Sequence, residues 1–224
     1  EHPVARPPLR YVTPARDRVL FTHRDMVQAR VGLSAADEVY DPKRVVDYMF
    51  YAQYMGGDMS SVIFQEVREA RSLAYSAGGG HTLSADKGDE TRLWAALGCQ
   101  ADKTPEAAEL LRGLMRDFPS SAPRFTAAET ALEQSYRTNP VQFRAVPDTV
   151  MGWEDEGITG GDPGPALFAR VRTYALPDLE AFARRFKEKP MTLWVLGDRD
   201  RVGLDKLKTL GDFSEKTLGD LFPY

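Results

Sequence analysis

A glycine-bounded segment constrains the fold more than any other stretch of this sequence. Residues 56–80 read GGDMSSVIFQEVREARSLAYSAGGG. A glycine pair ends a preceding helix, a serine pair caps the next one, and the glycine-ended run that follows predicts a strand. Arg68 and Tyr75 lie seven residues apart across this helix-to-strand join. The two side chains either pack in ordinary ways or point into a common site.

The other elements predict an α+β domain. Apolar runs predict two pairs of adjacent strands, residues 18–23 with 27–35 and residues 73–83 with 91–101, and a further strand at 191–198. Asp41-Pro42 predicts the start of a largely buried helix. More helices are predicted at residues 104–118, 126–138, 141–157, 165–174 and 176–186. This order lacks the strict alternation of a doubly wound parallel sheet. We therefore expect a mainly antiparallel sheet with helices packed on one face.

Three helix boundaries are predicted from capping residues. Thr104 and Thr126 are expected to cap the helices that follow them. Pro147 lies within the predicted helix 141–157 and is expected to break or kink it.

Charge and composition exclude several classes of function. The 224-residue chain has a formal net charge of −4 and a pI of about 5.5, so it lacks the basic field that nucleic-acid binding requires. Its apolar runs are too short to span a membrane. The proline-rich residues 1–16 predict an extended arm or interdomain linker, and residues 17–224 a single domain. The chain opens with Glu1 and no apolar leader, so we expect a mature or excised piece of a longer protein. The compartment stays open between the periplasm and the cytoplasm of a bacterium.

Motifs for independent catalysis are not present in the sequence. It contains no Walker A loop, no G-x-S-x-G and neither H-E-x-x-H nor H-x-x-E-H. Cys99 is expected to be a buried, inert thiol. We expect His81 to be a polar strand-end residue and no metal ligand. The acidic cluster 154–156 is expected to be a solvated helix end.

The opening segment resembles the signature of the C-terminal half of the M16 (pitrilysin) zinc metallopeptidases. The similarity includes the glycine pair, the serine pair, Phe64-Gln65 and EVREARSLAY over residues 66–75. The family includes insulin-degrading enzyme, mitochondrial processing peptidase and the cytochrome bc1 core proteins. A weaker likeness extends over most of the chain, including RVLFTHRDMVQARVGL and MTLWVLGDRD. The resemblance implies the LuxS/MPP-like metallohydrolase fold for residues 17–224.

The resemblance also implies a role in a two-part active site. In this family an H-x-x-E-H half holds zinc and the catalytic base, and the C-terminal half contributes an arginine and a tyrosine, here Arg68 and Tyr75. Both would be catalytic and would bind the substrate peptide, together with Gly78 and Gly79. This chain would hold no cofactor; zinc is expected in the partner half, either fused upstream or supplied as a separate chain. Alone, the chain is not expected to hydrolyse peptides.

Less specific interpretations remain open for the same residues. Arg68 is otherwise a surface residue paired with Glu69 or Gln65, and Tyr75 a core strand residue with a wet tip. Gly78–Gly80 either let another backbone approach closely or only relieve crowding. Arg71 is expected to face solvent. Two other interpretations apply to the whole chain. It is either a non-catalytic peptide-binding or structural subunit, or an unrelated enzyme that uses Cys99 or the acidic cluster.

Overall fold

A six-stranded sheet is the centre of the structure, a computed structural model that describes residues 6–69 and 73–222. The strands are β1 (Arg18–His23), β2 (Gln28–Val39), β3 (Ala74–His81), β4 (Glu90–Gln100), β5 (Thr192–Gly197) and β6 (Asp212–Glu215). The helices are α1 (Val45–Ala52), α2 (Thr104–Arg116), α3 (Ala122–Thr138), α4 (Val146–Asp155), α5 (Gly164–Val171), α6 (Leu176–Arg184), α7 (Leu204–Leu207) and α8 (Leu218–Leu221). The strand order across the sheet is β3-β4-β2-β5-β1-β6.

The sheet is mainly antiparallel, as the sequence predicts. Strand β2 pairs antiparallel with β4 and β5, and β3 pairs antiparallel with β4. The two parallel pairs, β1 with β5 and β1 with β6, both involve β1. The predicted pairing of β1 with β2 is wrong, because β5 lies between them. Strand β5 buries Leu193 and Val195 between apolar residues of both neighbours, which favours a central position over adjacency in sequence.

The helices cover one face of the sheet and bury it. The apolar residues of that face alternate along the strands and are almost fully buried: Val19, Phe21, Ala29, Val31, Leu33, Leu93, Ala95, Leu97, Leu193 and Val195. The predicted central helix α1 buries Val45, Val46, Tyr48, Phe50 and Tyr51. The Asp41 side chain accepts a hydrogen bond from the Lys43 amide and Pro42 follows it, which confirms the predicted start.

Three predicted helix boundaries are wrong for local reasons. Thr104 is already helical, and its hydroxyl donates to the Ala101 carbonyl at 2.7 Å. Helix α3 begins before Thr126, because Ser121 caps it. Pro147 lies in the first turn of α4, where a proline removes no helical hydrogen bond, so it starts the helix instead of breaking it.

The two ends of the chain add features that the pattern does not predict. Residues 212–215 form β6 beside β1, where the sequence analysis predicts no strand. Residues 6–16 form no helix or strand, and Arg6 and Leu9 are hydrogen-bonded to Asp89 in the β3–β4 turn. Within the described ranges, each helix is too short or too polar to traverse a lipid bilayer.

A charged cluster is buried where β2, β3 and the end of α6 meet. The Asp37 side chain is fully buried and lies 3.0 Å from His81 Nε2 and 2.8 Å from the Arg185 guanidinium; Lys189 also donates to it. The Tyr48 ring stacks on the His81 ring at 4.6 Å. His81 therefore ends its strand as predicted, and it is a buried partner of Asp37.

The burial of Asp37 predicts a specific acid sensitivity. Burial raises the pKa of this carboxyl, but hydrogen bonds from His81 and Lys189 and the charge of Arg185 outweigh it and lower the pKa to about 2. A carboxyl whose pKa is lower in the folded state than in the unfolded state stabilises the fold at pH values above its unfolded-state pKa. This stabilisation is lost as the pH falls toward and through the folded-state pKa. Asp37→Asn should lower the free energy of unfolding at pH 7 by about 3 kcal/mol, because it leaves buried cations unpaired. The deficit should shrink by about 2 kcal/mol between pH 4 and pH 2.

Urea unfolding of the wild type and Asp37→Asn across this pH range measures both effects. Asp205→Asn is the matched control, because that side chain is 99% exposed. A deficit that stays constant from pH 4 to pH 2 would contradict the assignment.

Candidate functional site

The glycine pair that ends α1 places the next helix beside the edge strand β3. Helix α1 widens into a π-helical turn, Gln53–Gly57, in which Gly56 has non-helical backbone angles. The Asp58 carboxylate then accepts a hydrogen bond from the Ser60 amide at 2.7 Å. The predicted helix start at Ser60-Ser61 is confirmed, because the Ser61 carbonyl accepts the first helical hydrogen bond, from the Gln65 amide at 3.0 Å. The Ser61 hydroxyl is buried and has no hydrogen-bond partner in the described part of the chain, so it does not cap the helix; Asp58 instead closes the turn before it.

Arg68 lies on a second π-helical segment, Phe64–Glu69. Its guanidinium is 4.7 Å from the centroid of the Phe64 ring and its Nε is 3.6 Å from Glu69 Oε1. The latter distance is beyond a hydrogen bond, and 46% of the Arg68 side chain is exposed. Gln65 bonds to the Met59 carbonyl instead. Arg68 is thus stacked on its own helix and forms a surface ion pair with Glu69, as the less specific interpretation expects. Its role in a site stays a prediction; isolated π-helical turns are frequent at functional sites.

Tyr75 lies at an irregularity of strand β3. Ala74 pairs with Cys99 and Ser76 with the adjacent Gly98, so Tyr75 is the extra residue of a β-bulge. Its side chain is 82% exposed, although it belongs to a six-stranded sheet. The interpretation of Tyr75 as a core residue with a wet tip is therefore wrong. A bulge re-aims side chains, and here it leaves a phenol in solvent.

The backbone brings the two residues into one neighbourhood. The Leu73 amide donates to the Val67 carbonyl at 3.1 Å, so the chain returns to the helix within six residues. Arg68 directly follows Val67, and Tyr75 lies two residues beyond Leu73. Residues 70–72, which include Arg71 and its expected exposure, lie outside the described ranges.

The glycines of β3 differ in their surroundings. A Cβ on Gly79 would lie 2.6 Å from Ile63 Cδ1 and 2.8 Å from the Trp94 carbonyl oxygen, and a Cβ on Gly56 would lie 2.2 Å from the Gly79 carbonyl oxygen. A Cβ on Gly78 would meet nothing within 4 Å. The missing side chain relieves crowding by Ile63 at Gly79 and lets the Ala52 backbone approach at Gly80, where a Cβ would lie 3.2 Å from Ala52 Cα. Neither interpretation applies to Gly78, which borders open space. Contact of Gly78 or Gly79 with a substrate stays a prediction.

Gly78 borders a cavity of about 390 Å³ on the face of the sheet that the helices leave open. Its lining includes Gln28, Arg30, Ser76, Gly98 and Trp194. The indole of Trp194 covers Gly32, where a Cβ would lie 1.9 Å from Trp194 Cε2. Ser76 in this lining directly follows the exposed Tyr75 in sequence.

The other candidate residues have structural roles. Cys99 is buried, and burial raises the pKa of its thiol, so it is protonated and unreactive at neutral pH. Within the acidic cluster, Glu154 and Asp155 are exposed as expected, but Glu156 accepts hydrogen bonds from Tyr40 and Ser84. No group of three or more His, Cys, Asp or Glu side chains suited to a metal ion occurs in residues 6–69 and 73–222.

The comparisons with known proteins agree with this architecture. Residues 2–134, more than half of the chain, match the model of the family described as peptidase M16 inactive domain. The chain therefore belongs to the peptidase M16 inactive-domain family. No curated protein matches the sequence.

Solved structures with the same fold come from several bacteria. A peptidase M16 inactive domain from Pseudomonas fluorescens has 15% sequence identity and a TM-score of 0.69, with 84% of this chain and 45% of that chain covered. A Helicobacter pylori protease has 16% identity and a TM-score of 0.66, with 84% and 47% covered. The periplasmic protease PqqL from Escherichia coli has 14% identity and a TM-score of 0.65, with 89% and 22% covered. At these identities the likeness shows the fold, and this chain spans less than half the length of each.

Several features of the site were missed by the sequence reasoning. They are the π-helical segments, the bulge at Tyr75 and the open-face cavity. A signal for the open face exists in β4, where Arg92, Trp94, Ala96 and Gly98 alternate with buried residues. A tryptophan on the solvent-facing side of such an alternation is one signal of a binding surface.

The contrast between the two glycines can be tested by substitution. Gly79→Ala should lower the free energy of unfolding by about 1–3 kcal/mol, because the added methyl group overlaps Ile63 and backbone atoms. Gly78→Ala should change it by less than about 0.5 kcal/mol, because the methyl group enters open space. Urea unfolding at neutral pH measures both, and equal effects would contradict the packing described here.

Proposed function

We propose that this chain is the substrate-binding, non-zinc half of an M16-type zinc metallopeptidase. It completes the peptide-hydrolysis site of a partner half that carries H-x-x-E-H, fused to it or separate. The observation that carries the proposal is the exposure of Tyr75 at a β-bulge, next to an exposed Arg68. A bulge that turns a large aromatic residue into water gives the isolated chain no packing energy, which favours a functional role.

The two side chains supply complementary parts of the chemistry. The Tyr75 hydroxyl donates a hydrogen bond to the oxyanion that forms when the peptide carbonyl is attacked. The Arg68 guanidinium binds a main-chain carbonyl of the substrate and holds the peptide in register. Zinc, which the H-x-x-E-H residues of the partner half would hold, would supply the polarisation of the same carbonyl and the activation of water. Gly78 and Gly79 border the path of the peptide along β3.

The partner half is required because this chain lacks the metal chemistry. Its sequence has no H-x-x-E-H motif, and its described residues contain no cluster of metal-ligating side chains. The similar solved structures have chains of about twice the matched length, which leaves room for a second half. We further propose that residues 17–224 act as one domain and that residues 1–16 connect it to the partner.

A second candidate function is a non-catalytic peptide-binding or structural subunit. The description of the matching family as an inactive domain favours it. The two candidates share the fold and the partner, and they differ in whether Arg68 and Tyr75 act on the transition state.

Substitution of the two residues in the assembled enzyme tests the proposal. Tyr75→Phe and Arg68→Ala should each lower kcat for peptide hydrolysis roughly 10- to 1,000-fold, because each removes a contact to the reacting peptide. Neither should lower Tm appreciably, because both side chains are exposed. Steady-state peptide cleavage and thermal unfolding are the two measurements.

Matched controls exist for both changes. Tyr136→Phe removes another half-exposed phenol, and Arg144→Ala removes another arginine that stacks on its own helix, 5.5 Å from the Phe143 ring centroid. Both controls should keep full activity. Unchanged turnover in Tyr75→Phe and Arg68→Ala would reject the catalytic role and leave the subunit function.

A further inference from the structure

The open face of the sheet carries arginines without acidic partners. Arg30 on β2 has no hydrogen-bond or ion-pair partner among the described residues. Arg92 on β4 lies over the Tyr11 ring at 5.3 Å, and Arg18 on β1 bonds only to the Thr192 hydroxyl at 3.0 Å. Most other arginines of the described chain are in salt bridges. In a chain of net charge −4, this face is locally cationic.

The strand register orders the features of this face along β2. Arg30 is followed on the same side by Gly32, which pairs with Trp194, then by Ser34, which pairs with Trp94, and then by Ala36, which pairs with Arg92. The two indoles are therefore flanked by arginines, and they are 40% and 41% exposed. The open-face residues of β2, β4 and β5 from the Arg30 row to the Arg92 row include no aspartate or glutamate. The next residue of β4 on this side, Glu90, is in an ion pair with Arg10 at 3.6 Å.

Two cavities lie at the ends of this row. The one beside Arg30 has a volume of about 390 Å³ and includes Ser76, the neighbour of Tyr75. The other has about 320 Å³ and is lined by Arg10, Tyr11, Arg18, Ser34 and Arg92. Arg30 and the row of Arg92 are six residues apart along β2, a span of about 20 Å in an extended strand. A peptide of about seven extended residues reaches from one cavity to the other.

We infer that the open face of the sheet binds an acidic segment of an extended peptide. Carboxylates of the peptide bind Arg30 at one end and Arg92 at the other, and the intervening residues lie against Trp94 and Trp194. An anion there breaks no existing ion pair, and a guanidinium forms two parallel hydrogen bonds to a carboxylate. The inference rests on the proposed function only in identifying this peptide as the substrate, because Ser76 in the cavity beside Arg30 directly follows Tyr75.

The inference can be tested by direct binding without turnover. The full 224-residue chain is titrated with a seven-residue peptide that has glutamate at its first and last positions, and with the glutamine counterpart. The readout is the intrinsic fluorescence of the open-face tryptophans. The glutamate peptide should bind about tenfold more tightly, because a hydrogen bond to a charged group replaces a neutral one at each end. The preference should weaken as salt is added.

Single-arginine variants localise the effect. Arg30→Gln and Arg92→Gln should each remove most of the preference, and Arg144→Gln, which changes an exposed arginine of the Phe143–Ala145 turn, should retain it. Circular dichroism checks that each variant is folded. Equal affinity of the wild type for both peptides would overturn the inference. So would an equal loss in Arg144→Gln, which would show a response to net charge only.

Two further results separate this inference from its alternatives. A single-stranded oligonucleotide of equal charge that binds more tightly than the glutamate peptide would overturn the assignment to peptide. The preference for glutamate should persist in Arg68→Ala and Tyr75→Phe. If it does while these variants keep full turnover in the assembled enzyme, the open-face inference stands and the proposed catalytic role falls.

Discussion

The contact between the backbones of Gly56 and Gly79 determines how the candidate site is built. A side chain at Gly56 would overlap the Gly79 backbone, and a side chain at Gly79 would overlap Ile63 and the Trp94 carbonyl, so the end of α1 and the helix after it lie directly against the edge strand β3. This contact fixes where the next helix begins, and the hydrogen bond from Leu73 to Val67 fixes where it returns to the sheet. Arg68 and Tyr75 lie on either side of that return. The placement of Arg68 and Tyr75 thus depends on two backbone contacts. Because it does not depend on packing of the two side chains, both side chains are left exposed.

The two faces of the sheet differ in composition because they have different neighbours. The covered face is apolar and holds the helices, and its buried carboxylate, Asp37, is balanced by His81, Arg185 and Lys189. The open face combines small residues, two tryptophans and arginines that have no acidic partner among the described residues. An aromatic and cationic surface beside an exposed tyrosine is consistent with a face that meets a peptide. The covered face accounts for stability, and the open face and its edge account for the proposed function.

Much of the fold could be predicted from the sequence, because its signals are local. The alternation in β4, the Asp41-Pro42 helix start and the glycine pair after α1 all correspond to observed elements. The family resemblance from residues 56–75 agrees with the matched family. The predicted pairing of β1 with β2 was wrong because it depends on non-local contacts. The insertion of β5 between these strands is stabilised by apolar contacts across about 170 residues of chain. Strand β6 is short and polar, so its pattern carries little information.

The sequence predicts which residues belong to the site, but not how they are arranged. Sequence similarity selects Arg68 and Tyr75, but the bulge that exposes Tyr75 is a property of the pairing of β3 with β4. The cavity beside Arg30 combines residues from four strands or their flanks, which no local pattern brings together.

The most direct test of the central claim is the affinity of the assembled protein for a phosphonate peptide, which mimics the tetrahedral intermediate, compared with that of the unmodified peptide. If Tyr75 donates to the oxyanion, Tyr75→Phe weakens the phosphonate about 10- to 100-fold and leaves the unmodified peptide nearly unchanged. An equal change in both affinities, or no change in either, would contradict a role for Tyr75 in the transition state.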